Sequence, residues 1–394
     1  MSLHFIFGRA GTGKTTRCCR EIQDYLKKTP GGRAYLLVPD QGTYTAEYLL
    51  AKSFPGAGFI DVTVCGFSRL AYRVFQELHS PVADALSPLG QQIILRRLLN
   101  AHKDELQVIL RAASQPHFSE KLTAFFHQLD MFLVTEDDLL AASKREGETP
   151  LGKKLADLSL LYKAYHDYLR MHFAYEGSLF DLLAREIPKS KKLRGSHIWI
   201  DGFNGMAPQK IRIVSALVHT AEEVTMTLQM DSPEEAAENP NFARPYQLYS
   251  QMQGAIRHSS SIVLTEEKRF RTSDLSLMAR HFFERHARPR PEDGRVKEGL
   301  HLITAESPKE EVDLISRTIT SLVRDKGLRY RDILVLSRTP ENYSDLFTRS
   351  FATYGIPGFI DEKHPMNNHP LVMLTSFLLQ FLTKETGRRN AGWQ

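Results

Sequence analysis

Long hydrophobic runs, abundant cysteine and a strong excess of one charge are all missing from this 394-residue sequence. No apolar stretch reaches the roughly 18 to 20 residues that a membrane-spanning helix needs. The N-terminus also lacks the basic segment, apolar run and small-residue cleavage site of a signal peptide. We therefore expect a cytoplasmic protein without membrane spans. The formal net charge of +5 favours an acidic partner but does not identify it.

The few cysteines and the scattered histidines argue against several kinds of site. Cys18, Cys19 and Cys65 do not have the paired spacing of a zinc site or of a disulfide framework. We expect them to be reduced core or helix-face residues. The 15 histidines form neither a ligand cluster nor part of a nucleophile triad in the sequence. Neither a zinc site nor a Ser/His/Asp centre is therefore predicted.

What the sequence does contain is short apolar strands that alternate with helical periodicity, which predicts a parallel α/β sheet. The predicted strands are Leu3–Phe7, Ala34–Val38, Phe59–Val64, His197–Asp201 and Val224–Met230. From Leu89 to Ile187 the pattern is almost entirely helical. We therefore predict one discontinuous α/β domain, residues 1–88 and 188–280, with a helical insertion at residues 89–187.

A charged, proline-containing stretch at residues 281–298 is typical of a linker. Beyond it, residues 299–394 alternate again, with predicted strands at Leu300–Thr304, Ile333–Leu336 and Gly358–Asp361 that are separated by helices. This pattern predicts the start of a second α/β domain. No convincing closing strands follow, so we expect the chain to end inside a longer architecture.

The most specific chemical signal is a phosphate-binding loop (P-loop) between the first predicted strand and the helix after it. The pattern G-x-x-x-x-G-K-T is met by Gly8, Arg9, Ala10, Gly11, Thr12, Gly13, Lys14 and Thr15. Glycines let backbone amides surround phosphate oxygens, and the helix directs its positive end at the anion. Lys14 should reach the β- and γ-phosphates, and the Thr15 hydroxyl should bind Mg²⁺. The sequence therefore predicts ATP binding.

A P-loop ATPase also needs a carboxylate near the Mg²⁺, at the end of a neighbouring strand. The predicted strand His197–Asp201 is apolar and ends in such a residue, so Asp201 is the candidate, although a strand-ending Asp is also a common turn residue. The next residue is Gly202, where a hydrolysing motor would have Glu to polarise the attacking water. We therefore expect weak or absent hydrolysis.

Other candidate residues are less specific. Arg338 ends a predicted strand of the second α/β unit and could cross a domain interface to the γ-phosphate, with a solvated surface arginine as the alternative. Gln41, Phe67 and Arg69 follow two predicted strands and could contact single-stranded nucleic acid, with Phe67 stacking on a base. For Phe67, an ordinary core position is the favoured alternative.

Several segments, taken in order, resemble the AddB family, the B subunits of bacterial AddAB ATP-dependent helicase-nucleases. They are the P-loop, Leu37-Val-Pro-Asp-Gln41, Gly66-Phe-Ser-Arg-Leu-Ala-Tyr-Arg73, Lys154-Leu-Ala-Asp-Leu-Ser159, Trp199-Ile-Asp-Gly-Phe203, Asp332-Ile-Leu-Val-Leu-Ser-Arg338, Tyr354-Gly-Ile-Pro357 and Asn368-His-Pro370. The resemblance covers essentially the whole chain. It implies two RecA-like domains of the superfamily 1 helicase type, the first interrupted by a helical subdomain.

The resemblance also implies partners and a role. Such a subunit pairs with AddA, a true helicase-nuclease, to resect DNA double-strand breaks for homologous recombination, and it is the subunit associated with reading the Chi sequence. The nuclease domain and 4Fe-4S cluster of the family belong to a C-terminal region that this chain does not contain. The chain departs from active superfamily 1 helicases in two ways: it lacks an upstream glutamine motif, and it has the pair Asp201-Gly202.

Both departures favour a subunit that binds ATP and DNA without driving translocation. An autonomous ATP-driven superfamily 1 helicase is the main alternative, and it would need another carboxylate near Gly202. A small-molecule P-loop kinase would instead be a compact single α/β domain with a lid. A purely structural binding module would tolerate the loss of Lys14 without any change in DNA affinity.

Overall fold

The computed structural model describes residues 2–54, 61–80, 86–113, 115, 117–173, 179–256, 258–270, 272–281, 299–361 and 366–390. The chain forms two compact units, residues 1–299 and residues 300–394. Most of the predicted linker, residues 282–298, lies outside the described residues. In the described part of the chain, no helix is long and apolar enough to cross a membrane.

Unit 1 contains a six-stranded sheet in which all the paired strands are parallel, with the order β3-β2-β4-β5-β1-β6. The strands are β1 (Ser2–Gly8), β2 (Ala34–Leu37), β3 (Val62–Cys65), β4 (His197–Ile200), β5 (Glu223–Leu228) and β6 (Ser259–Leu264). The predicted α/β class is therefore confirmed. The sequence did not predict β6, and Phe59 and Ile60 of the third predicted strand lie outside the described residues.

Thirteen described helices accompany this sheet in unit 1. They are α1 (Lys14–Lys28), α2 (Thr43–Ser53), α3 (Phe67–Leu78), α4 (Pro88–Ala101), α5 (Leu110–Ala113), α6 (Phe118–Phe132), α7 (Glu136–Glu146), α8 (Pro150–Phe173), α9 (Leu179–Glu186), α10 (Pro208–Thr220), α11 (Pro233–Glu238), α12 (Ala243–Ala255) and α13 (Ser273–His281). Helices α3, α9, α10 and α12 pack on one face of the sheet, and α1 and α2 pack on the other, as a parallel sheet requires.

The two faces of the sheet pack into two separate cores because successive strand residues point to opposite sides. Phe5 and Phe7 of β1 belong to one core, whereas Ile6 between them belongs to the other. Cys18 and Cys19 of α1 also lie in the second core, and both are buried. Burial raises the pKa of the Cys19 thiol to about 11, so these cysteines are core residues, as predicted.

The helices α4 to α8 enclose a third core around Leu95, Phe126 and Leu161. The carboxylate of Asp157 on α8 is buried beside this core and accepts hydrogen bonds from the amides of Gln107, Val108 and Ile109 at 2.8–3.1 Å. A buried charge needs such partners to offset its lost hydration. Asp157 therefore fixes the chain between α4 and α5.

Unit 2 contains the helices α14 (Pro308–Lys326), α15 (Ser344–Tyr354) and α16 (Pro370–Asn390). Its described residues include no strand, so the three strands predicted there are wrong. Leu302, Leu336 and Phe359, one from each predicted strand, are 95%, 85% and 90% exposed. A strand needs a hydrogen-bonded neighbour to form, and the described part of this unit supplies none.

Candidate nucleotide-binding site

The P-loop starts at the last residue of β1 and ends at the first turn of α1. Gly11 and Gly13 have φ angles of +87° and +88°, a left-handed conformation that glycine adopts without steric cost. Gly13 is the N-terminal cap residue of α1, and no side chain caps that end. Because the first amides of a helix have no acceptor inside the helix, they are free to bind an anion such as phosphate.

The side chain of Lys14 folds back into this loop. Its ammonium group donates hydrogen bonds to the backbone carbonyls of Gly8 at 2.6 Å and Arg9 at 2.9 Å. Burial lowers the pKa of the Lys14 ammonium, and the negative charge of Asp201 opposes this shift. The positive charge of Lys14 is thus already inside the loop that would surround the phosphates.

Asp201 follows β4 and is 6% exposed. The Thr15 hydroxyl donates a hydrogen bond of 2.6 Å to its Oδ2 atom, and the Thr227 hydroxyl donates a further hydrogen bond to its Oδ1 atom. The structure thus brings together Thr15 and Asp201, which the sequence had placed 186 positions apart. Strand β4 is not adjacent to β1, because β5 lies between them.

Thr227 was not among the predicted site residues. It lies on β5, where it is 2% exposed, and it is one of two buried threonines in that strand, the other being Thr225. A buried hydroxyl needs a hydrogen-bond partner. Because Thr225 of the same strand is also a buried hydroxyl, nothing in the sequence distinguished Thr227 as a partner of Asp201.

Gly202, at the position where a motor would have Glu, has a φ angle of +81°. Its backbone is therefore in the left-handed conformation. A Cβ atom built on Gly202 would lie 3.4 Å from Cδ of Pro39, an ordinary van der Waals contact. A side chain at this position would therefore be strained mainly by its backbone conformation.

The second P-loop residue, Arg9, is held by an anchor that the sequence did not reveal. Its guanidinium forms two parallel hydrogen bonds of 2.6 Å with the carboxylate of Asp231, which follows β5. Nη1 of Arg9 also donates to the carbonyl of Arg280 at 3.0 Å, and the guanidinium lies 5.5 Å from the centre of the Phe242 ring. We call Arg9, Asp231, Phe242 and Arg280 the Arg9 anchor.

The segment after β6 contacts the other side of the P-loop. The amide of Lys268 donates a hydrogen bond of 2.9 Å to the carbonyl of Gly11. A Cβ atom on Gly11 would lie 2.9 Å from Cβ of Arg269 and 3.4 Å from the ring of Phe270. These contacts could not be foreseen because β6 itself was not predicted.

The candidate DNA-binding residues are placed differently from one another. Gln41 is exposed in the short 3₁₀ helix Asp40–Gly42, and Arg69 is exposed on α3 beside a groove of about 1050 Å³. Phe67 is 2% exposed and its ring lies 5.5 Å from that of Phe203. The core alternative therefore describes Phe67 in this structure, because its ring has no free face on which a base could stack. Arg338 is an exposed residue of unit 2, in a bend and not at a strand end.

Comparison with known proteins places this chain in a family. A family model described as "ADDB, N-terminal" matches residues 5–279.

Three similar proteins are named as B subunits of an ATP-dependent helicase/deoxyribonuclease. The one from Pelotomaculum thermopropionicum is 35% identical, over 98% of this chain and 34% of that protein. Those from Geobacillus kaustophilus and Bacillus subtilis are 35% and 34% identical, over 96% and 94% of this chain and 34% and 33% of their own lengths. The chain spans about a third of the length of these relatives. The chain belongs to the AddB family.

Proposed function

We propose that this chain binds MgATP at its P-loop and acts as the helicase-like, DNA-binding subunit of a heterodimeric helicase-nuclease. The observation that carries the proposal is the hydrogen bond of 2.6 Å between Thr15 and Asp201, beside a Lys14 ammonium that lies inside the P-loop. A hydroxyl, a carboxylate and a lysine in this arrangement are what a P-loop nucleotide site requires. On this proposal, unit 1 is a RecA-like domain with α4 to α9 as its helical insertion, and unit 2 belongs to a second RecA-like domain.

The residues present fit the cofactor. The backbone amides between Gly8 and Thr15 would surround the phosphates, while the Thr15 hydroxyl and the Asp201 carboxylate are oxygen ligands of the kind that Mg²⁺ prefers. Mg²⁺ usually takes only one or two carboxylates from the protein and the rest from water and phosphate. This agrees with the absence, in the described residues, of a group of three or more His, Cys, Asp or Glu side chains placed for a metal.

Nucleotide binding without efficient hydrolysis is the part of the proposal that rests on Gly202. Glycine has no side chain, so position 202 supplies no carboxylate next to Asp201 to polarise water. The role that we assign to this protein is therefore DNA binding and Chi recognition, and we assign translocation to an AddA-type partner. Gln41 and Arg69 remain the proposed DNA contacts, and Arg338 remains a proposed contact of the γ-phosphate.

The wider role follows from the names of the relatives, which describe part of an ATP-dependent helicase/deoxyribonuclease. We propose that the complete protein works with its partner on DNA double-strand breaks in the bacterial cytoplasm, in homologous recombination. The nuclease activity and the 4Fe-4S cluster that the family resemblance implies are assigned to a region outside these 394 residues.

The test compares the wild-type chain with Lys14→Ala, measuring ATP binding and hydrolysis with and without Mg²⁺ and single-stranded DNA. We expect Lys14→Ala to weaken ATP binding about a hundredfold. The variant would lose two charge-assisted hydrogen bonds from the Lys14 ammonium to the phosphates of ATP, of about 1.5 kcal/mol each. Lys103→Ala, which removes an exposed lysine, is the matched control and should bind normally.

Turnover separates the two leading hypotheses. If the wild type binds ATP but has no hydrolysis that depends on Lys14, the proposal stands. Robust hydrolysis stimulated by DNA would instead indicate an autonomous helicase. Equal ATP binding by wild type and Lys14→Ala would refute the proposed nucleotide site.

A further inference from the structure

Three of the five N–H groups of the Arg9 side chain donate hydrogen bonds within the Arg9 anchor. Both partners of its ion pair are mostly buried, with 28% of the Arg9 side chain and 18% of the Asp231 side chain exposed. The pair is bidentate, the strongest geometry for a guanidinium and a carboxylate. The guanidinium donates to Asp231 through Nε and Nη2 and to Arg280 through Nη1. The guanidinium is therefore anchored to the protein.

We propose that Asp231 is a positioning residue of the nucleotide site: it acts through Arg9 to hold the P-loop in the conformation that accepts a triphosphate. This inference rests on the proposed ATP-binding function. It adds a residue 217 positions beyond Lys14 in the chain (231 − 14 = 217), one that neither the P-loop pattern nor the family resemblance contains.

The path from Asp231 to the phosphates runs through the backbone of Arg9. The carbonyl of Arg9 accepts hydrogen bonds from the Lys14 ammonium at 2.9 Å and from the Thr12 hydroxyl at 2.9 Å. Because the side chain and the carbonyl belong to the same residue, fixing the guanidinium restricts where that carbonyl can lie. Asp231 thus helps to determine the position of the Lys14 ammonium before ATP binds.

Strand β5 connects this path to the Mg²⁺ side of the site. Thr227 near its end holds Asp201, and Asp231, four residues later (231 − 227 = 4), holds Arg9. The strand pairs with β1 and with β4, Phe7 lying opposite Leu228 and Ile200 opposite Met226. One strand and the turn after it therefore set the spacing between the P-loop and the carboxylate.

The experiment measures the affinity of the complete chain for ATP and for inorganic tripolyphosphate, by titration calorimetry at a temperature well below unfolding. We expect Asp231→Asn to weaken both affinities about tenfold, within the range found for residues coupled by direct contact. Tripolyphosphate is included because a loop-positioning role must affect the phosphates themselves and not the nucleoside. The matched control is Asp167→Asn, which breaks an exposed Arg170–Asp167 ion pair on α8 and should bind both ligands normally.

Two further variants separate positioning from general stability. Asp231→Glu keeps the carboxylate and should recover most of the lost affinity, whereas Arg9→Gln combined with Asp231→Asn should be no weaker than the poorer single variant. A lowered unfolding temperature in Asp231→Asn with unchanged affinities would overturn the proposal, as would tighter tripolyphosphate binding, since a released Arg9 would then be a phosphate ligand.

The same experiment distinguishes this inference from the proposed function. If the wild type binds and Lys14→Ala does not, but Asp231→Asn equals the wild type, only the positioning role is lost. If the wild type binds neither ligand, the nucleotide site itself is refuted. Should Asp231→Asn fail to fold, the affinities of Asp231→Glu and Arg9→Lys are compared instead, because each variant keeps the charge of the residue it replaces. Lysine lacks the planar guanidinium that binds a carboxylate through two parallel hydrogen bonds, so Arg9→Lys should weaken both affinities more than Asp231→Glu does.

Discussion

The end of strand β1 and the end of strand β4 contribute to the same candidate site but supply different functional groups. At β1 the left-handed glycines, the lysine inside the loop and the uncapped helix start are all in place. At β4 two hydroxyls hold Asp201, but the next position is a glycine in the left-handed region. Binding requires the first set of groups, whereas hydrolysis also requires a group that activates water. On the proposed function, the two strand ends therefore separate phosphate binding from the activation of water.

Of the three further variants that test this comparison, Gly11→Val on the β1 side should have the largest effect. A β-branched residue at a φ of +87° is a conformational outlier, and its Cβ would lie 2.9 Å from that of Arg269. We expect ATP affinity, measured by calorimetry, to fall by a factor on the order of 30. Gly31→Val is the control: its φ is +79°, but no atom lies within 4 Å of the new Cβ. Normal ATP binding by Gly11→Val would contradict the structure of the P-loop.

A smaller effect is expected on the β4 side from Asp201→Asn. Loss of the carboxylate charge should weaken ATP binding about tenfold in Mg²⁺, the size of one charge-assisted interaction. It should change binding by less than about threefold in EDTA, where no ion bridges the carboxylate to the phosphates. Loss of that charge would also lower the pKa of Lys14 further, since Asp201 opposes its present shift. An equal loss of affinity with and without Mg²⁺ would show that Asp201 does not serve the ion.

The smallest effect on activity is expected from Gly202→Glu, which supplies the residue that a motor would have. Its left-handed backbone should cost about 1–2 kcal/mol of unfolding free energy. Because a motor's Glu would not have this backbone conformation, we expect the new carboxylate not to be directed at the attacking water, so ATP hydrolysis should stay at the wild-type level. Gly202→Ala introduces the same backbone strain without the charge, so its free energy of unfolding should equal that of Gly202→Glu. A clear rise in DNA-stimulated turnover in the Glu variant alone would mean that one missing side chain explains the difference between the two strands.

The sequence was sufficient to predict the local features of the site but not its arrangement across the sheet. The glycine spacing predicted the P-loop because that motif is continuous, and an apolar strand ending in Asp identified Asp201. The order of the strands depends on tertiary pairing, so the insertion of β5 between β1 and β4 left no local signal. Thr227 and Asp231, which β5 brings to the site, were missed for that reason.

Strand predictions also failed where pairing decides the outcome. Strand β6 begins with three consecutive serines and lies at the edge of the sheet, so it lacks the apolar pattern of a buried strand. In unit 2 the opposite error occurred: Ile333–Leu336 is as apolar as β2, yet Leu334 and Leu336 are 78% and 85% exposed. An apolar run indicates a capacity to form a strand, and a hydrogen-bonding neighbour is needed to realise it.

The buried cysteines of α1 make the helix behind the P-loop observable by thiol chemistry. Cys18 and Cys19 lie in a sheet-packed core, and burial raises the pKa of both thiols. Since the thiolate is the reactive species, a mild alkylating reagent can modify them only when α1 separates from the sheet. Where the helix closes faster than the reagent reacts, their modification rate therefore reports the fraction of time that this helix is open in the native chain, with no label introduced. Cys65 at the end of β3, which lies in the other core of the sheet, provides an internal reference.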